Sequence, residues 1–154
     1  MGSAIDNALM VLQSRQAGLP DRYPYIIVLD EYPSFILSLE AKDRKAYQSK
    51  LATLLNLGRS FEVHVWVITQ RPGAELFANG SRDNFNCRIV MGSPSPETRR
   101  MVLGDDISEV PADWLTNNIG QGLIYRDGIG ISHIAVPQLN WQKLNLFLKN
   151  SFKN

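Results

Sequence analysis

The chain is expected to fold as an α/β layered structure, a mostly parallel sheet with helices on both faces, in one domain over residues 1–154. Three observations predict this. YIIVLD at 25–30 is a short, continuously apolar run, as in a strand buried on both faces. VHVWVIT at 63–69 is a second run rich in β-branched residues, and the helical periodicity between the two implies that they run parallel. Near the end, GLIYRDGIGISHIAV offers two strands around Asp127-Gly128, a hairpin signal that adds an antiparallel edge.

The remaining elements follow in chain order. Ile5, Ala8, Leu9 and Leu12 recur at helical spacing, so residues about 3–17 read as an amphipathic helix, ended by Gly18 and Pro20. Met1-Gly2-Ser3 has the look of a cloning remnant. A second helix is expected from about 39 to 58, with Tyr47, Leu51, Leu54 and Leu55 on one side and Gly58 where a helix would stop. CRIVMG at 87–92 reads as a third strand, and Glu97–Leu103 and Ile107–Leu115 as brief helices. NWQKLNLFLKNSF closes the chain as a helix with Trp141, Leu144, Leu148 and Phe152 facing inward. Trp66 and Trp114 read as core residues.

Composition narrows the class. With 44% apolar and 20% charged residues, the chain is of ordinary soluble globular type. Its 16 basic and 15 acidic residues leave a net charge of +1, which excludes a body that coats nucleic acid by charge alone but permits a local patch. A single cysteine, Cys87, excludes an intramolecular disulfide and a cysteine zinc site, and an interior position is expected for it. No apolar run approaches the ~20 residues that span a bilayer, and the first residues lack a signal peptide's pattern, so the composition fits a cytoplasmic protein.

The chemistry-bearing residues cluster at strand ends. In open α/β sheets ligands bind beyond the carboxyl ends of the strands. Asp30-Glu31 follow the first strand and Thr69-Gln70 the second, so parallel strands bring them to one rim. An Asp there can hold the Mg²⁺ shell of a nucleoside triphosphate, a neighbouring Glu can orient or deprotonate water, and Gln70 can sense the γ-phosphate. Taken alone, the same residues also fit a strand that ends in acids because it has reached solvent. His64 and His133 have no carboxylate company that would make a metal site, and no G-x-S-x-G elbow is present.

IIVLDE, LLNLGRSFEVHVWVITQRP and NFNCRIVMGSPSPETRRMVL, in this order, resemble the second half of the FtsK/SpoIIIE-type motor domain, a RecA-like P-loop ATPase. The resemblance runs from about Tyr25 to Val136, and RDNFNCRIVMG looks like the version carried by integrative conjugative elements. It implies that Asp30 and Glu31 are the Walker B pair, Asp30 holding Mg²⁺ through water and Glu31 serving as catalytic base. It further implies that Thr69 and Gln70 form the sensor, and that Arg59, eleven positions before Gln70, is an arginine finger reaching a neighbouring subunit's nucleotide. ATP and Mg²⁺ are the implied cofactors of the complete motor, with no tight binding expected by this chain. DNA and other copies of the motor in a ring, a hexamer when complete, are the implied partners, with membrane contact only through segments absent here.

Backbone contact with DNA would fall to Lys42, Arg44, Lys45 and Lys50, and to Arg82, Arg99 and Arg100. Two departures from the family pattern stand out. Glu62 occupies a position where Gly is common, and the G-x-x-x-x-G-K-[ST] loop that cradles phosphates is missing, because the sequence contains no Gly-Lys dipeptide. The chain therefore resembles the C-terminal part of a motor whose P-loop strand would precede residue 1, next to the strand that ends in Asp30. An ATPase that exports proteins, as in type VII secretion, and a non-catalytic interaction domain are the alternatives.

Overall fold

The structure, a computed structural model, describes residues 1–20, 23–70, 72–77, 80–104, 107–108, 110–115 and 119–151. Two compact units divide at Asn86 and Cys87. The first contains helices α1 (Gly2–Gln16), α2 (Tyr32–Ser38) and α3 (Ala41–Leu57) and strands β1 (Tyr25–Asp30) and β2 (Val63–Ile68). The second contains β3 (Cys87–Met91), α4 (Pro96–Leu103), β4 (Gln121–Arg126), β5 (Gly130–Ala135) and α5 (Trp141–Ser151).

In the first unit β1 and β2 pair in parallel, Tyr25 opposite Val63 through Asp30 opposite Ile68. Strand alternation sends Ile27 and Leu29 to one face, where they bury against Ile5, Ala8 and Leu12 of α1 and Leu51 and Leu54 of α3. Arg15, at the end of α1 and only 7% exposed, donates to three carbonyls: Tyr23 at 2.6 Å, Phe61 at 2.7 Å and Glu62 at 2.9 Å. One guanidinium thus ties α1 to the entrances of both strands. Gly58 is required by space rather than by φ, since a Cβ there would collide with the Val63 carbonyl.

The opposite face of this sheet is bare. Ile26 (53%), Val28 (54%), Trp66 (60%) and Ile68 (49%) are exposed there, so the first strand is not buried on both faces and Trp66 is not core. The helices of this unit pack on the face that carries Ile27 and Leu29, and the alternate residues are left to solvent.

In the second unit β3, β4 and β5 form an antiparallel sheet. The hairpin expected around Asp127-Gly128 is present, with Gly128 supplying a left-handed φ of 73° at the turn. β3 joins this hairpin rather than extending the parallel pair, so the parallel sheet has two strands among the described residues. Its core is small: Val90, Leu103 and Leu123, with Trp114 packed at its margin.

Cys87 is exposed because only one face of β3 is packed, the face that buries Val90. α5 forms, yet Trp141 is 67% and Leu148 40% exposed, which corrects the inward-facing assignment; Leu144 is half-buried. Phe152 lies outside the described residues, as does Arg71 of the TQRP motif. Where a brief helix over Ile107–Leu115 is expected, the described residues form 3₁₀ turns at 107–108 and at Ala112–Leu115. Gly2 and Ser3 belong to α1. Among the described residues no helix is long and apolar enough to cross a membrane.

Candidate functional site

Parallel pairing delivers the ends of β1 and β2 to one rim, as the sequence predicts. Asp30 is the last residue of β1, opposite Ile68, and the Glu31 amide donates to the Ile68 carbonyl at 3.1 Å. The chain then reverses through Glu31 itself, which adopts left-handed backbone (φ 55, ψ 41) and caps α2. A side chain larger than glycine costs about 1–2 kcal/mol in that conformation. The neighbouring Tyr32 is fully buried, stacks on Phe77 and pins the start of α2, with Pro33 in the first helical turn.

The turn carries the Glu31 carboxylate toward β2, where Gln70 Nε2 donates to Glu31 Oε1 at 3.0 Å. Asp30 is exposed beside this pair, and Thr69 is half-buried between β2 and Gln70. The rim therefore offers two neighbouring carboxylates, one already oriented by an amide. Mg²⁺ keeps several waters and is commonly held by one or two carboxylates together with substrate phosphates, so this donor set fits a Mg–nucleotide complex. Among the described residues no group of three or more His, Cys, Asp or Glu forms a metal cage. The phosphate cradle is a separate requirement, and the chain holds no Gly-Lys loop to meet it.

Arg59 lies elsewhere. It sits exposed in the 3₁₀ turn Gly58–Phe61, before β2 begins. The six residues of β2 separate it from Gln70, a span of roughly 20 Å at the ordinary strand rise. Arg59 and Glu31 of one chain therefore do not converge on a single phosphate group. The turn itself is held in place by Arg15 through the Phe61 and Glu62 carbonyls. Sequence reading missed Arg15, since an arginine in the last turn of a helix ordinarily reads as a solvated charge.

The basic residues divide by engagement. Arg44 donates to the Ile36, Leu37 and Leu39 carbonyls at the end of α2, Arg99 to the Leu115 carbonyl at 2.7 Å, and Arg82 lies 3.6 Å from Asp83. Lys50 pairs with Asp6 at 2.6 Å, which raises the lysine and lowers the aspartate from their ordinary values, the mutual hydrogen bond being the main cause. Lys42, Lys45 and Arg100 are exposed. His64 Nε2 lies 3.2 Å from Glu62, on the bare side of the sheet.

The fold is shared with two solved structures. The cytoplasmic domain of the Thermomonospora curvata type VII secretion ATPase EccC matches 84% of the chain over 14% of its own, with TM-score 0.57 and 23% identity. The pCW3 conjugation coupling protein TcpA, in its monomer form with ATPγS, matches 97% of the chain over 46% of its own, with TM-score 0.63 and 18% identity. More particularly, the chain matches a fragment of an FtsK-type motor. It is 35% identical over 82 residues to the FtsK domain-containing protein YdcQ of Bacillus subtilis, covering 53% of this chain and 17% of that protein. It is 29% identical over 119 residues to the DNA translocase FtsK of Bradyrhizobium diazoefficiens, covering 76% and 13%. The chain thus spans less than a fifth of the curated relatives it matches. No family model matches it.

Proposed function

We propose that the chain supplies the Walker B, sensor and arginine-finger elements of an ATP-driven DNA translocase, a coupling protein of conjugative transfer working at the cytoplasmic side of the membrane. The observation that carries this reading is the hydrogen bond from Gln70 to Glu31 at the rim that also presents Asp30. Two relatives named for FtsK or DNA translocation, and a coupling protein of the same fold, support the cargo assignment.

Mg-ATP would supply an electrophilic γ-phosphorus with ADP as the leaving group, and Asp30 would hold the metal at the rim. Glu31 Oε accepts a proton from the attacking water, and Gln70 holds that carboxylate in line. Arg59, at the far end of β2, serves the nucleotide of an adjacent subunit in a ring. DNA backbone contact would rest on Lys42, Lys45 and Arg100, whose side chains are exposed; Arg44 and Arg99 would first have to leave their carbonyl partners.

Glu31→Gln in the motor completed with its phosphate loop is the test. It should bind Mg-ATP with affinity near that of the parent while turnover falls by about 10²–10⁴-fold. Turnover at the parent rate would remove Glu31 from the role of base. The 154-residue chain by itself should show no calorimetric binding of Mg-ATP at millimolar concentration.

A further inference from the structure

We propose that Phe77 is a positioning residue for the Glu31–Gln70 pair: its stack on Tyr32 fixes the turn that aims the Glu31 carboxylate at the Gln70 amide. The proposal rests on the functional reading above and deepens it.

The bond between Gln70 and Glu31 is 3.0 Å long and exposed. Water competes for both groups there, so the bond contributes little by itself to holding its partners in place. The backbone that presents Glu31 is also costly. Glu31 has a left-handed φ of 55°, and a non-glycine residue persists in that region only where its surroundings over-determine it. On its N-terminal side the constraint is the strand pair, through the Glu31 amide and the Ile68 carbonyl at 3.1 Å. On its C-terminal side the constraint is Tyr32, the next residue, which is fully buried.

Tyr32 is held by its ring and not by its hydroxyl. The hydroxyl is buried with no hydrogen-bond partner among the described residues, whereas the ring lies 6.0 Å from that of Phe77 at an interplanar angle of 22°, within the range of favourable aromatic pairs. Phe85 meets Phe77 edge-on at 5.5 Å, so Phe77 is engaged by two rings. Phe77 belongs to the segment that leaves Gln70, and that segment is anchored twice before reaching it. Gln48 Nε2, on α3, donates to the Glu75 carbonyl at 2.7 Å, and Leu76 is buried in the main core.

Two contacts therefore close one circuit. Glu31 meets Gln70 at the surface. Tyr32, one residue after Glu31, meets Phe77, seven residues after Gln70, in the interior. With the inner contact made, the chain itself carries the outer pair to its geometry. Leucine at position 77 would fill much of the same space but offers no face for Tyr32 to stack on, so the turn and the Glu31 side chain would gain freedom. A misplacement of about 1 Å at a reacting group costs about 10²-fold in rate.

A nuclear Overhauser contact between the Gln70 side-chain amide and the Glu31 γ-methylene reads this pair directly in the chain. The contact should be present in the parent and lost in Phe77→Leu, with amide exchange in β1 and β2 unchanged. Phe77→Met, a second replacement without a ring, serves where Phe77→Leu does not fold. Tyr32→Phe keeps the ring and should keep the contact. Ile5→Val, a small truncation of the same core on α1, should keep it too, which separates positioning from general loosening. Three results would overturn the proposal: a contact retained in a folded variant without the ring; its loss in Tyr32→Phe; or an equal loss in Ile5→Val. In the motor completed with its phosphate loop, Phe77→Leu should lower turnover about 10- to 10²-fold with Mg-ATP affinity near that of the parent. Loss of the contact with turnover unchanged upholds the positioning role and overturns the part given to Glu31 and Gln70 in turnover. A retained contact, alongside a stalled Glu31→Gln motor, does the reverse.

Discussion

The two faces of the β1–β2 sheet share one backbone and opposite fates. Ile27 and Leu29 are 6% and 1% exposed, while their chain neighbours Ile26 and Val28 are more than half exposed. Side-chain chemistry does not distinguish them, since all four are aliphatic. What differs is the cover: α1 and α3 pack on the first face, and no described element closes the second. In the antiparallel sheet of the other unit, Ile89 and Met91 are exposed at 51% and 44% while Val90 is buried, and one wet face is ordinary for such a sheet. Equal exposure thus has different meanings in the two sheets. In the parallel one it marks a face without the cover such a sheet ordinarily has.

Core truncation should give the largest effect and the sharpest contrast. Leu29→Ala removes a fully buried side chain from the covered face and should cost about 2–5 kcal/mol in urea unfolding. Val28→Ala, one residue earlier on the bare face, should cost less than about 1 kcal/mol. Equal losses would mean that the bare face is already packed in the isolated chain.

Arg15→Ala comes next. It leaves three carbonyls without their shared donor, and bonds to a charged donor contribute about 1.5–3 kcal/mol where a partner is left unsatisfied. A loss of about 2–3 kcal/mol is expected, only partly recovered by Arg15→Lys, whose ammonium cannot span three acceptors in one plane. Because the clamp holds the turn that bears Arg59, hydrogen exchange at residues 58–62 should quicken more than at the Glu31 rim. Uniform quickening would deny Arg15 a local role.

These contrasts also mark what the sequence made legible. Strand identity, the parallel pairing, the hairpin and the meeting of Glu31 with Gln70 could be read, because periodicity and strand ends are local properties. The exposure of Trp66, Val28 and Trp141 could not, since an apolar residue looks the same in sequence whether or not an element packs over it. α2 was missed as a seven-residue helix begun by Tyr32-Pro33, too short for a periodic signal. Glu62 was legible only as an oddity. The structure gives the reason that Gly is common there: Glu62 has a left-handed φ of 55°.

That reason yields a prediction comparing the two rims. Glu31 and Glu62 are the two non-glycine residues with positive φ among the described residues, one at the exit of β1 and the other at the entrance of β2. Glu62→Gly should stabilise the chain by up to about 1 kcal/mol by relieving the left-handed strain, less the flexibility that glycine adds to the unfolded state. Glu31→Gly should gain a similar amount and abolish turnover in the completed motor. Strain at Glu62 would then be incidental and strain at Glu31 functional. Loss of stability in both variants would show that their side-chain bonds to His64 and Gln70 outweigh the backbone cost.

The smallest effect concerns Tyr32, whose ring stabilises the start of α2 while its hydroxyl is buried with no hydrogen-bond partner among the described residues. Tyr32→Phe keeps the ring and removes the orphan group, so stability at neutral pH should be unchanged or raised by up to about 1 kcal/mol. Burial also pushes the phenol well above its ordinary value. The unfolded chain ionises this tyrosine from about pH 10 while the folded chain keeps it protonated. Its contribution to stability is therefore complete below pH 10 and lost as pH rises beyond it. Tyr32→Phe should flatten that alkaline decline relative to the parent when urea midpoints are measured from pH 8 to 11. An unchanged slope would mean that the Tyr32 hydroxyl reaches solvent, and that the covered face opens beneath the Glu31 turn as readily as the bare face stands open above it.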